Sequence, residues 1–166
     1  SCTSCPVNRI SNGSYCSCLS TFYQNSQNLN CLACHYSCLT CSSYSTCTTC
    51  DSANKRISST NTTLCICSSG FYDNSISQTC FSCHAICETC SAYSTCLSCK
   101  TSQNFYYSNN TCLCVKGFYL DSATSTCIAC DYSCDSCSSG TSCLTCKNNR
   151  TATATFCTCN GGLFDD

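Results

Sequence analysis

The spacing of the cysteines constrains this chain more than any other feature. Twenty-eight of its 166 residues are Cys. From Cys31 they fall at 31, 34, 38, 41, 47, 50, 65 and 67, then at 80, 83, 87, 90, 96, 99, 112 and 114. A third set follows at 127, 130, 134, 137, 143, 146, 157 and 159. Each set reads C-x2-C-x3-C-x2-C-x5-C-x2-C, then a loop of 14, 12 or 10 residues, then C-x-C. Cys2, Cys5, Cys16 and Cys18 match Cys47, Cys50, Cys65 and Cys67, so the chain opens partway through a unit. Internal repetition at a fixed period marks tandem modules that stack on their neighbours. The spacing divides the chain into a partial repeat over 1–30, complete repeats over 31–79 and 80–126, and a C-terminally truncated repeat over 127–166.

A packed hydrocarbon core is out of reach. Leu, Ile, Val and Phe number 25 residues, about 15% of the chain, below the ~20% at which an ordinary sequence stays disordered. Order must come from cross-links, and so many cystines place the chain outside the cell or in a secretory lumen. Seven basic and eight acidic residues are thinly scattered, so no basic patch addresses nucleic acid or anionic lipid. No run approaches the ~18 apolar residues of a membrane helix. The chain lacks a leader, which reads as a mature segment whose leader or anchor lies outside it. Ser and Thr make up roughly a third of the residues, giving a hydroxyl-rich, nearly neutral surface.

No stretch between cysteines is long enough for an amphipathic helix. The expected fold is a set of small disulfide-rich tandem repeats built from short β-hairpins and loops, with little or no helix, forming an elongated rod. The variable loops before C-x-C should be hairpins closed at the base by a disulfide. Phe22-Tyr23, Phe71-Tyr72, Phe118-Tyr119 and Leu163-Phe164 recur after each C-x-C, where they should cover disulfides and pack on the next unit. Gly70, Gly117 and Gly162 precede three of these pairs, where a residue of positive φ suits a turn.

The run Cys31-Leu-Ala-Cys34-His35-Tyr-Ser-Cys38-Leu-Thr-Cys41, with Cys47-Thr-Thr-Cys50 and Cys67-Ser-Ser-Gly-Phe-Tyr-Asp73, resembles furin-like repeats. These belong to the growth-factor-receptor cysteine-rich superfamily. The resemblance covers the chain and rests on the spacing with the C-x-x-C-H and G-F-Y-x-D signatures. Ser-, Thr- and Asn-rich arrays of this kind are similar to surface proteins of ciliates and other protists. A single Pro departs from such repeats, which often carry Pro near their cysteines.

By itself the sequence leaves on the order of 10^14 full pairings open. The resemblance implies one: Cys5–Cys16, Cys18–Cys31, Cys34–Cys41, Cys38–Cys47, Cys50–Cys65 and Cys67–Cys80. It continues with Cys83–Cys90, Cys87–Cys96, Cys99–Cys112, Cys114–Cys127, Cys130–Cys137, Cys134–Cys143 and Cys146–Cys157. The two cysteines of each C-x-C then take different partners, in keeping with disulfide geometry. Cys2 and Cys159 remain, and repeat counting puts their partners outside the chain, in adjoining repeats or a neighbouring protomer.

C-x-x-C-H at Cys31–His35 and Cys80–His84 is also the signature of c-type haem attachment. Against haem, Asp131 takes the His position in the third repeat, Met is absent, and the two His are the only ones, so no sixth ligand is at hand. Zinc would use paired C-x-x-C motifs in a reducing compartment, contrary to the cystine count. No cofactor is expected. Sequons at Asn12, Asn61, Asn109 and Asn149 fall one to each variable loop, as candidate N-glycan sites. Neither His is linked by spacing to a nucleophile, and the carboxylates form no recurrent pair, so no catalysis is expected.

The reading is an extracellular structural protein, glycosylated on Asn and on some Ser/Thr, forming part of a surface coat or fibre. Its partners would be copies of itself or adjoining repeats of a longer chain. A ligand-binding receptor ectodomain is the alternative, and a haem or metal filament a more distant one.

Overall fold

The computed structural model describes residues 4–27, 30–148, 150–153 and 155–160. Among them the chain forms ten two-stranded antiparallel ribbons, each joining strands adjacent in sequence. Two single 3-10 turns, Ser52–Asn54 and Thr101–Gln103, are the helical elements. The fold is a chain of tandem small disulfide-rich hairpins. It divides into two compact units, Ser1–Ser82 and Cys83–Asp166.

Three kinds of ribbon alternate. The first kind carries two crossed disulfides: β5 (Thr40–Ser43) with β6 (Thr46–Thr49), β11 (Cys87–Ala92) with β12 (Thr95–Cys99), and β17 (Cys134–Ser139) with β18 (Ser142–Cys146). In each, register shifts fit the cysteines to one face. A hydroxyl pair also crosses each ribbon at equivalent places: Thr40 with Thr49, Thr89 with Ser98, Ser136 with Thr145.

The variable loops form the second kind: β1 (Arg9–Ser11) with β2 (Cys16–Cys18), β7 (Arg56–Ile57) with β8 (Ile66–Cys67), β13 (Phe105–Ser108) with β14 (Thr111–Cys114), and β19 (Arg150–Ala152) with β20 (Cys157–Cys159). The second Cys of each C-x-C stands opposite Arg9, Arg56, Phe105 or Arg150. Just before three of these residues, Asn8, Lys55 and Asn104 are left-handed, with φ of 61°, 61° and 63°. Their carbonyls accept from Leu19, Ser68 and Val115 at 2.8–2.9 Å, which fixes the entry into the next turn.

That turn leads to the third kind, the aromatic ribbons: β3 (Phe22–Gln24) with β4 (Cys31–Ala33), β9 (Phe71–Tyr72) with β10 (Phe81–Ser82), and β15 (Phe118–Asp121) with β16 (Thr126–Ala129). Gly70 and Gly117 have φ of +80° and +87°, the turn geometry that an L side chain resists. Gly162 lies outside the described residues. The Tyr of each pair faces an apolar residue: Tyr23 opposite Leu32, Tyr72 opposite Phe81, Tyr119 opposite Ile128. Within the first compact unit β3 packs on β5, and within the second β15 packs on β17.

The division between the two compact units falls at 82/83. Cys80 is bonded back to Cys67, and Phe81–Ser82 pair with Phe71–Tyr72, so these residues complete the preceding ribbon.

The interior is sulfur. Of the thirteen buried apolar residues among those described, eleven are Cys, and Ile86 and Phe105 are the others. Each closed loop removes chain entropy from the unfolded state, about 3 kcal/mol for one of 15 residues, the separation of Cys50 and Cys65. Replacing Cys50 and Cys65 together by Ser should therefore cost about 3 kcal/mol locally. Hydrogen exchange should show protection lost over 51–66 and kept in the crossed and aromatic ribbons, because such modules are held mainly by their own links and nearest neighbours. Loss spreading through all ribbons would contradict this modular account.

Candidate functional sites

The structure forms thirteen disulfides among the described residues, the same pairs that the family resemblance implies, from Cys5–Cys16 to Cys146–Cys157. Cys159 ends β20 opposite Arg150 and is half-buried. Cys2 lies outside the described residues. The sulfurs that haem would need are committed: Cys31 to Cys18, Cys34 to Cys41, Cys80 to Cys67 and Cys83 to Cys90. Cys87, Cys96 and Cys112 bring three Sγ atoms within 4.8 Å. They belong to two stacked cystines, Cys87–Cys96 and Cys99–Cys112, and offer no thiolate to a metal.

The histidines of C-x-x-C-H do something else. His35 Nδ1 accepts from the Ser37 N–H at 3.2 Å and lies 2.8 Å from Ser37 Oγ. His84 Nδ1 accepts from the Ile86 N–H at 3.4 Å. Each heads a turn closed by Cys38 N–H to His35 O or Cys87 N–H to His84 O, both 2.9 Å. The rings meet the tip tyrosines of the crossed ribbons edge-on, His35 on Tyr44 at 5.5 Å and His84 on Tyr93 at 5.4 Å. In the third repeat Asp131 takes over, its Oδ1 accepting from Ser133 N–H at 3.0 Å and Ser133 Oγ at 2.6 Å. Gly140 stands there in place of the tip tyrosine. His and Tyr are thus present or replaced together, and the imidazole acts as an Asx-like acceptor.

A second cluster was not foreseen from the sequence. Arg56, only 1% exposed, donates Nε to Gln78 O (2.7 Å), Nη2 to Ser77 O (2.8 Å) and Nη1 to Asp73 Oδ2 (2.7 Å). Its guanidinium lies 5.2 Å from the Tyr36 ring centroid, and Tyr36 Oη donates to Asp73 Oδ1 at 3.3 Å. Burial pushes the Asp73 carboxyl up, but the Arg56 hydrogen bond and charge, the Ser75 N–H and the Tyr36 hydroxyl outweigh it and hold the group below the ordinary aspartate value. Burial, then the Asp73 charge, pushes the Tyr36 phenol up.

The repeats vary this cluster as a block. Tyr36, Arg56 and Asp73 correspond to Ala85, Phe105 and Leu120 in the next repeat, where Phe105 is 2% exposed. In the third repeat the Tyr–Arg pair returns, with Arg150 at 5.2 Å from the Tyr132 ring. Asp165 matches Asp73 in sequence and lies outside the described residues. An ionic pin and an apolar one of similar bulk occupy the same socket, as expected when replacing the pair as a whole is far cheaper than leaving the buried Arg56 without its half-exposed partner.

The sequon asparagines Asn12, Asn61 and Asn109 are all exposed, on the outer ends of variable hairpins. Asn109 and Asn110 have φ of 46° and 63° and make the two-residue tip between β13 and β14, the geometry for which Asn is favoured. Asn61 sits in the longest connection of the variable hairpins described, residues 58–65. Asn149 lies outside the described residues. In the repeat alignment it matches Asn8, Lys55 and Asn104 rather than the loop tips.

Beneath that long connection is a cavity of about 540 Å³. Its walls are Thr46–Thr49 of β6 and the two legs of the loop, Ile57–Ser59 and Thr62–Leu64, with Cys50 and Arg56 behind. Cys47 N–H bonds to Thr63 O at 2.8 Å and Thr63 Oγ1 to Ser45 O at 2.6 Å, which pins the loop to the crossed ribbon.

Asp73→Leu alone should cost about 3 kcal/mol, the low end for leaving a buried charge unpaired. The triple change Tyr36→Ala, Arg56→Phe, Asp73→Leu, which copies the second repeat, should recover most of it in urea unfolding of the oxidised protein. Because the folded carboxyl titrates below the unfolded one, its stabilisation is complete above about pH 4 and falls away as pH drops through the folded value; Asp73→Asn should flatten that limb. For the turn, His35→Asp should keep the Ser37 amide protected from exchange, whereas His35→Leu should expose it.

No family model, curated protein or solved structure matches the chain.

Proposed function

We propose that this chain is an extracellular structural protein, a glycosylated, disulfide-stapled array that forms part of a surface coat or fibre. The observation that carries the reading is that the same contacts return repeat after repeat. The crossed cystines, the hydroxyl pair and the left-handed residue before the socket recur with one geometry, and the sequon asparagines Asn12, Asn61 and Asn109 are exposed. A ladder of cystines tolerates protease and extracellular oxidation, and its abundance fits secretion or the cell surface. Among the described residues no helix is long and apolar enough to cross a membrane. The motifs resemble furin-like repeats of the kind found in protist surface proteins, and the role assigned is mechanical and shielding rather than catalytic.

The second reading is a ligand-binding ectodomain, and the cavity under residues 58–64 is the observation that favours it. Electron microscopy of the native material separates the two. A coat or filament built from the array is the expected image, and well-separated single molecules would favour the ectodomain. A visible spectrum should show no Soret band. Glycopeptide mass spectrometry should find sugar on at least one of Asn12, Asn61 and Asn109.

A further inference from the structure

The cavity beside β6 has a lining of unusual chemistry. Seven hydroxyl residues contribute to its lining, Thr46, Thr48, Thr49, Ser58, Ser59, Thr62 and Thr63, along with Ile57 and Leu64. It carries no carboxylate, and its one cation, Arg56, is turned inward onto Asp73 and the carbonyls of Ser77 and Gln78. A charged ligand would be desolvated there without a counter-charge. Four of the hydroxyls already bond within the protein, Thr48 and Thr49 to Thr40, Thr62 to the Leu64 carbonyl and Thr63 to the Ser45 carbonyl, and a hydroxyl oxygen so placed can still accept a hydrogen bond from a ligand. The walls suit a neutral, polyhydroxylated molecule with an apolar face. At about 540 Å³ the cavity falls within the ~300–1,000 Å³ of small-molecule sites, room for one or two pyranose rings.

One such molecule would be tethered a residue or two along the chain from the lining. Asn61 lies between the two legs that line the cavity, two residues from Ser59 and one from Thr62. We infer that the first sugars of an N-glycan on Asn61 seat in this cavity, against Ile57, Leu64 and the hydroxyls of β6, and brace the 58–65 loop. A tethered sugar needs little intrinsic affinity, because its effective concentration reaches the millimolar range. The other repeats give contrast. Asn109 is at a two-residue turn and Asn12 at a short hairpin end, so sugars there project from the tip. The inference rests on the glycosylated reading of the array and adds a structural role for one glycan.

The test uses the whole chain secreted from a glycosylating host. Occupancy at each sequon is read by glycopeptide mass spectrometry, and release by a peptide-N-glycosidase is followed site by site under native conditions. Release at Asn61 should be at least tenfold slower than at Asn12 and Asn109, and the three rates should converge after reduction and denaturation. Thr48→Phe, which fills the cavity from an exposed strand position, should bring the native Asn61 rate up to the others. An unoccupied Asn61 defeats the glycosylated reading at this site and the seating with it. Occupancy with equal native rates overturns the seating alone, as does protection that Thr48→Phe leaves unchanged. Binding of free chitobiose to the Asn61-glycosylated protein, seen as shifts at Thr62 and Leu64 amides, would show the cavity open to outside saccharide and would also overturn it.

Discussion

Everything in this fold depends on two cysteines one residue apart. In a strand, residues i and i+2 share a face, so both sulfurs of a C-x-C point inward and the residue between points out. Cys65 then reaches back to Cys50 while Cys67 reaches forward to Cys80, and the same division recurs at Cys112 and Cys114. One short strand is stapled to the ribbon before it and to the ribbon after it. The arrangement also explains a surface that would otherwise look wrong. Ile66 and Leu113, the residues between, are 41% and 45% exposed because the cystines have taken the inner face. Where an ordinary domain buries Leu and Ile, this one buries sulfur and leaves Leu and Ile outside.

A covalent frame relaxes the demands on everything else. Ribbons of two strands are marginal on their own, and two of those described have only two residues a side. They persist because loop closure by disulfide has already removed most of the entropy that their few hydrogen bonds would have to offset. The polar residues found inside then act as local fittings. Ser37 and Ser133, 1% and 3% exposed, are buried against the turn acceptors His35 and Asp131. Either acceptor serves, since the turn asks only for a lone pair aimed at the N–H two residues on.

Much of this was legible in the sequence, and the limits have physical causes. Ribbons rather than helices followed from the short cysteine intervals, and positive φ at Gly70 and Gly117 from their place before the aromatic pairs. The pairing was not readable from spacing itself, which leaves the combinatorics open; it came through the resemblance. Cysteine counting marks where a motif begins, whereas in the structure Cys80 closes the ribbon behind it. The C-x-x-C-H histidines invited a cofactor because the motif is blind to a turn whose N–H needs an acceptor. Arg56 was overlooked for a similar reason: an Arg in a polar loop reads as solvated, and only the fold turns it onto Asp73 and Tyr36.

A signal for that cluster was nevertheless present, in the differences between repeats rather than in their likeness. Tyr36, Arg56 and Asp73 lie 17 to 37 residues apart, yet all three change together to Ala85, Phe105 and Leu120. His35 and Tyr44 change together to Asp131 and Gly140. Substitutions that travel as a block between copies of one module report contacts, for the same reason that removing one member of a buried ion pair is costly and removing all of it is not. The cystine frame makes such exchanges readable, because it holds the socket still while its contents change. It also shows where a repeat can acquire a character of its own. The frame fixes Cys50, Cys65 and Cys67 but leaves the length between them open, and residues 58–65 use that freedom to roof a cavity over β6. Apart from those block exchanges, individuality gathers in the segment whose length the sulfurs leave free.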